Sequence, residues 1–436
     1  MNRLLTTVLN GLCVVCISTA LLAGGVEENT NHSAEYIKTL NRFASTDADA
    51  SFFNPAGTAL MAEGAYIYLS SQTILIPIEV SGPSLTRSVY KGNKTSYCAP
   101  NLHVVYNKAK AGGGKGNLAV SVSVMAIGGG GFGTYPKGLS YIDNTLFLFR
   151  DTLNGIYSQL GIPYTLGTIM TSKFAGSSVY YSGMANAAYS FLDDRMAVSL
   201  GYRFIYGQTT FDAKLYSDGI RMPIGGTFHA RQDGTAHGAI IGVSAKPVES
   251  VTIGFKFEYN SPLNLKTRSS GYYIVGLVDP GLMNGGTAYH QLPMNASIGL
   301  AYRVRGLQLA WSFSYYLNRF AQWNGREKSY YDGYEAGMGL DYTFADIPLN
   351  IGCGYVFSNG GVRPSGQSQI AEMPMGHTIG MGLSYTFDKI VRLTLAFGYI
   401  HWVPTSINRG TLLRFPPATF KKKGYDIAIG AEFRVH

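Results

Sequence analysis

The side chains best suited to bind a metal or attack a carbonyl are His103, His229, His237, His290, His377 and His401, with Cys98 and Cys353. Their spacing supports neither chemistry. No His/Cys group has metal-ligand intervals, and no Ser, His and Asp fall together in a nucleophile motif. Neither an enzyme nor a bound cofactor or metal is expected. Nucleic acid is not an expected partner either, because it would need a concentrated basic face with interleaved aromatics. The net charge of +9 is spread along the chain, and its one tight run, Lys421-Lys422-Lys423, reads as a solvated loop. Contact of that run with anionic lipopolysaccharide or lipid head groups is the second reading. The remaining charges follow a rule. Arg203, Lys256, Glu258, Arg303, Asp341 and Arg392 each fall on the polar side of a segment that alternates apolar and polar residues.

That alternation is what must position them. In 306–320, Leu307, Leu309, Trp311, Phe313, Tyr315 and Leu317 share one face, and Gln308, Ala310, Ser312, Ser314, Tyr316 and Asn318 share the other. In 391–400, Val391, Leu393, Leu395, Phe397 and Tyr399 oppose Arg392, Thr394, Ala396 and Gly398. Side chains on a strand point alternately to opposite faces, so these are strands with one greasy and one wet side. A charge facing lipid at mid-bilayer costs roughly 2–4 kcal/mol, so the six charges are expected in a wet lumen, paired as struts.

Composition agrees. Of 436 residues, 14% are charged, against about 25% in soluble domains. Beyond the N-terminus no apolar run reaches the roughly 20 residues of a spanning helix, which leaves a closed barrel as the way to cross a bilayer. Residues 1–23 read as a secretory signal: Arg3, an apolar stretch from Leu4 to Leu22, and small residues around Ala23.

Fourteen strands are expected, at 65–80, 96–107, 117–131, 177–191, 195–209, 235–246, 250–266, 292–304, 307–320, 333–344, 347–358, 376–387, 391–403 and 424–435. Short links alternate with long ones, the mark of an outer-membrane barrel with short periplasmic turns and long extracellular loops. The domain division is therefore a signal at 1–23, a separate N-terminal segment at 24–64 and an all-β antiparallel barrel at 65–436. Cys98 and Cys353 fall on the second and eleventh strands, too far apart for a bridge whose Cα atoms must lie within about 7 Å.

The pattern fails in two places. The third strand runs into Gly128-Gly129-Gly130-Gly131, and glycine runs mark bulges or bends. The following loop has Phe147, Phe149, Leu153, Ile156 and Tyr157 at helical spacing, an apolar face for a greasy extracellular groove. Residues 24–64 read as short helices, not barrel, and as a hatch folded inside the lumen. Pro55 fixes a turn there, and Asn54 is expected to bond its own local backbone.

At these residues the chain resembles a known family. Asn54-Pro55-Ala56-Gly57, after Ser45-Thr46-Asp47-Ala48-Asp49-Ala50 and just ahead of the first strand, is similar to the hatch motif of the FadL/TodX outer-membrane transporters for long-chain fatty acids and aromatic hydrocarbons. Gly238–Lys246 with Val251–Tyr259 and Ser261-Pro262, and Leu292-Pro293 before a strand, extend the resemblance over the mature chain. It implies a fourteen-stranded barrel with an N-terminal plug and passive uptake of a hydrophobic small molecule, long-chain fatty acids first. It also implies lateral exit at a kinked third strand, here Gly128–Gly131. The end Phe433-Arg434-Val435-His436 departs from the terminal aromatic that the barrel-assembly machinery reads. The implied partners are the substrate, outer-membrane lipid and that machinery, for a monomer. A surface-exposed adhesin or an unplugged general porin are the alternatives.

Overall fold

A computed structural model describes residues 33–82, 88–110, 116–138, 150–151, 154–163, 169–217, 226–271, 282–363, 375–407 and 418–435. The expected signal at 1–23, Phe147, Phe149 and Leu153 lie outside them. Three short helical pieces, α1 (Ala34–Thr39), α2 (Ala50–Phe53) and a 3-10 turn (Pro55–Leu60), precede one antiparallel sheet.

The sheet has fourteen staves. They are β1 (Gly64–Ser81), β2 (Val89–Lys108), β3 (Leu118–Tyr135), β4 (Ile169–Phe191), β5 (Met196–Ser217) and β6 (Gly226–Ala245). Next come β7 (Val251–Asn260 and Leu263–Gly271), β8 (Thr287–His290 and Asn295–Val304), β9 (Leu307–Tyr316) and β10 (Gly333–Thr343). The last four are β11 (Leu349–Asn359), β12 (Gly376–Phe387), β13 (Val391–Trp402, with Thr405–Ile407) and β14 (Ala418–Val435). Each pairs with its sequence neighbours, and β1 pairs with β14 from Ala65↔Val435 to Ser81↔Thr419, which closes the barrel. The breaks within β7 and β8 fall at Ser261-Pro262 and in 291–294, around Pro293. Proline has no N–H to give to a ladder.

The alternation sets which way each side chain points. Leu200 is 67% exposed and Ile429 60%, while Arg203 and Glu432 on the opposite faces are buried. Large apolar side chains are exposed outward on strand after strand all round the wall. A water-soluble barrel would not leave so continuous an apolar band uncovered, so the band faces lipid. No helix among the described residues is long and apolar enough to cross a membrane. Cys98 and Cys353 are free, and Cys353 faces outward as expected.

Two expectations need correction. Several strands extend beyond their expected long-loop ends, to Val89, Ile169 and Gly226, and β14 starts at Ala418. Lys421, Lys422 and Lys423 therefore lie on a strand, not in a loop. The interior is also not wet throughout. Toward the long-loop rim, Ile76, Ile78, Val80, Tyr90, Phe174, Trp402 and Phe420 form a buried apolar cluster on the inner side. Above the lipid band the phase inverts: the outer face meets water and the inner face is greasy. A reading keyed to apolar-outward alternation loses the strands there.

Candidate functional site

The short-turn half of the lumen is filled by residues 33–61, nearly all buried. Ser33 caps α1 by accepting from the Tyr36 N–H at 3.1 Å, and Leu40 ends it with a left-handed φ of 52°. Glu35 on this helix accepts from Thr394 at 2.6 Å and Ser384 at 3.1 Å, and pairs with Lys38 at 2.8 Å. Lys38 also donates to Asn350 on β11, and Asn41 donates to Ser312 on β9. Arg42 ties the segment to itself, donating twice to Asp49 and once to Asp47.

The expected charges become struts, as pairs and not singly. Arg203 makes two hydrogen bonds to Glu258, at 3.0 and 3.1 Å, and Lys256 reaches Oε1 of that carboxylate at 2.6 Å. Arg392 meets Glu432 at 3.0 Å and Glu35 at 3.5 Å. Arg303 and Asp341 sit at the short-turn rim on the two sides of Gln308; Arg303 is exposed there, not enclosed as expected.

Asn54, Pro55, Ala56 and Gly57 are all buried. Pro55 opens the 3-10 turn, and Gly57 N–H donates to the Asn54 carbonyl at 2.7 Å. The Asn54 side chain does not bond its own turn as expected. Its amide donates to the Ser45 carbonyl at 3.0 Å and to Ser244 Oγ on β6 at 3.2 Å. Ala56 packs among Ala119, Ala188 and Ala197 of the wall. Elsewhere the wall makes room: a Cβ at Gly354 would overlap the Thr39 carbonyl oxygen. His103 joins the segment to the wall. Its Nδ1 is 2.8 Å from Ser51 Oγ and 3.0 Å from Ser123 Oγ, a fully enclosed contact between segment and wall. No group of His, Cys, Asp and Glu that could hold a metal ion is found among the described residues.

The glycine run breaks the wall. The β2–β3 ladder pairs Asn101 with Met125, then resumes only at Thr95 with Phe132. Residues 96–100 on β2 and 126–131 on β3 are unpaired with each other. On the other side of β3, register shifts flank Gly128 in its pairing with β4. Gly129 has φ 100° and Gly131 φ 62°, backbone that an L side chain rarely adopts. A Cβ on Gly131 would sit 2.7 Å from the Thr95 carbonyl oxygen.

At this break lies a cavity of about 100 Å³. Its lining joins inward residues of the apolar cluster, Ile76 and Trp402, to outward ones, Cys98 and Tyr181. Lys94 is at its edge, and deeper in the cluster Lys422 Nζ lies 4.4 Å from the centre of the Trp402 ring. The β2 side of the break was missed in the sequence, although Pro100 within a long strand is the signal that marks it. Ile156 and Tyr157 lie half-buried on a helical turn at 154–159.

Comparison with known proteins adds one kind of likeness. No family model matches the sequence, and no curated protein sequence matches it. Solved structures do. A FadL homologue from Pseudomonas aeruginosa superposes with a TM-score of 0.66 at 15% identity, over 95% of this chain and 100% of that one. The toluene transporter TodX from P. putida gives 0.61 at 14%, over 90% and 95%. The toluene transporter TbuX from Ralstonia pickettii gives 0.57 at 14%, over 89% and 94%. The closed fourteen-stranded antiparallel barrel of this chain is the FadL and TodX fold.

Proposed function

We propose that this chain belongs to the FadL/TodX family and is an outer-membrane channel that takes up hydrophobic small molecules, long-chain fatty acids first. The observation that carries this reading is the break between β2 and β3 and the chamber of about 100 Å³ beside it, lined in part by the buried apolar cluster, while the lumen beneath is filled. Residues 24–64 act as a hatch, with Asn54–Gly57 as the turn that seats it, after a signal at 1–23 is removed. The substrate enters from the long-loop side, where Ile156 and Tyr157 offer a greasy approach. It partitions into the chamber and leaves sideways past Gly128–Gly131 by passive diffusion. A filled lumen argues against a general porin. Lys422 and Lys94 put cations beside greasy side chains, which suits a carboxylate with a hydrocarbon tail better than a neutral hydrocarbon.

Uptake of labelled oleate by cells carrying the gene, compared with a deletion strain, tests the reading. Faster uptake with the protein supports it, and equal rates overturn it. The similarity to two toluene transporters favours a second reading, in which the cargo is a monoaromatic hydrocarbon; labelled toluene run in parallel separates the two.

A further inference from the structure

Two basic patches stand on the outer wall at one level above the lipid band. On β5 the outward apolar series ends at Tyr206, opposite Thr235 of β6. Moving toward the long-loop rim, the register sets Asp233 against Lys266 of β7, then Arg231 against Arg268. Arg231, Lys266 and Arg268 are exposed on the outer face. Like charges directly opposite one another on a sheet repel, so this Arg pair is unfavourable unless an anion sits between them. The carboxylates nearby offset it only in part: one carboxylate, Asp233, stands against three cations. Asp233 is 3.5 Å from Arg231, and Asp212 is held by His229 at 2.7 Å.

The second patch lies on β14, β1 and β2. Tyr425 is the last of the outward apolar series on β14, and Lys423 and Lys421 follow it at two and four residues. Lys91 joins them across Glu79, which is the register partner of both Lys421 and Lys91. Again three cations share one carboxylate, at the same offset from the band as in the first patch. At roughly 3.3 Å per residue and a tilt of about 40°, two to four residues amount to about 5–10 Å. A bilayer of about 40–45 Å around a core of about 30 Å has head-group layers of about 5–8 Å, so the cations lie level with lipid phosphates.

We propose that the two patches grip the phosphate groups of a phosphorylated glycolipid in the outer leaflet. The inference rests on the outer-membrane reading above, with the long loops outside. Lys91 is on β2 itself, so a lipid held there stands beside the β2–β3 opening.

The test uses the full-length protein in non-ionic detergent, with bisphosphorylated lipid A and its dephosphorylated form as probes, read by native mass spectrometry. The protein is expected to retain the phosphorylated lipid at least about tenfold more than the other. Arg231→Gln/Lys266→Gln/Arg268→Gln and Lys91→Gln/Lys421→Gln/Lys423→Gln should each lose most of that preference. Arg231→Lys/Arg268→Lys should keep part of it, and an unchanged gel shift of the unheated barrel checks folding in every variant. Equal retention of both lipids, or variants that bind like the parent, overturns the proposal. So does full displacement by millimolar inorganic phosphate, which would mark a free-phosphate site. The assay needs no transport, so a failure of oleate uptake and a failure of lipid binding are read separately.

Discussion

Lys256 donates from Nζ to the backbone carbonyl of Phe52 at 2.8 Å, joining the seventh stave to the N-terminal segment inside the barrel. The same ammonium lies 4.2 Å from the centre of the Phe52 ring and is neutralised by Glu258. One carboxylate thus holds two buried cations, Lys256 and Arg203, and one of these holds the segment.

Glu258→Ala removes the carboxylate that the two enclosed cations share. Breaking a buried pair in this way costs about 3–5 kcal/mol. The urea midpoint of the barrel in detergent should fall accordingly. Lys256→Met, which leaves Glu258 bonded to Arg203, should cost less. Equal midpoints for all three proteins would mean that the lumen is wetter than its burial indicates.

Asn54→Ala removes the two bonds that join Ser45 to β6. At about 0.5–1.5 kcal/mol each, their loss should loosen the segment without unfolding the wall. Single-channel recording should show brief openings absent from the parent, with an unchanged gel shift. Identical traces, with uptake also at the parental rate, would reduce the motif to a turn.

Gly129→Ala and Gly131→Ala place a Cβ where the backbone is left-handed and a carbonyl stands close, at a cost of about 1–2 kcal/mol or more. The strand is expected to relieve this by reshaping the β2–β3 gap, and oleate uptake should drop several-fold. Gly183→Ala on β4, where an added Cβ meets nothing within 4 Å, is the control and should transport normally.

Lys422→Met keeps the bulk against Trp402 and deletes the charge. A charge-assisted bond is worth about 1.5–3 kcal/mol, so half-saturation for oleate should rise about tenfold or more, with toluene uptake unaffected. Parallel losses for both solutes would show that Lys422 only shapes the chamber.

Acidification should act through the segment. Burial pushes the Glu35 carboxyl up, but Arg392, Lys38 and Arg42 outweigh it and hold it well below the usual carboxylate range. Burial pushes the Asp47 carboxyl up as well, and Arg392 and Arg42 again outweigh it and hold it well below the usual range. A carboxylate with a depressed folded pKa adds stability that is complete above its unfolded value, about 4, and drains away as pH falls below it. Leak through planar bilayers should therefore be flat between about pH 7 and 5 and grow below about pH 4. A rise already at pH 6 would point to another group.

The number of staves, their faces and the closed wall were legible in the sequence, because a lipid exterior imposes a period of two on every strand that crosses it. The glycine run of β3 was legible for the same reason, as the place where the period fails. Other features depended on residues far apart in the chain. Asn54 finds Ser244, and Arg392 finds Glu35, only once the wall has curved round the segment. The greasy upper chamber escaped the pattern because the alternation changes phase where water replaces lipid outside. Local sequence reports which solvent a face meets; it does not report which distant strand will stand across the lumen, and that pairing decides which buried groups meet inside the barrel.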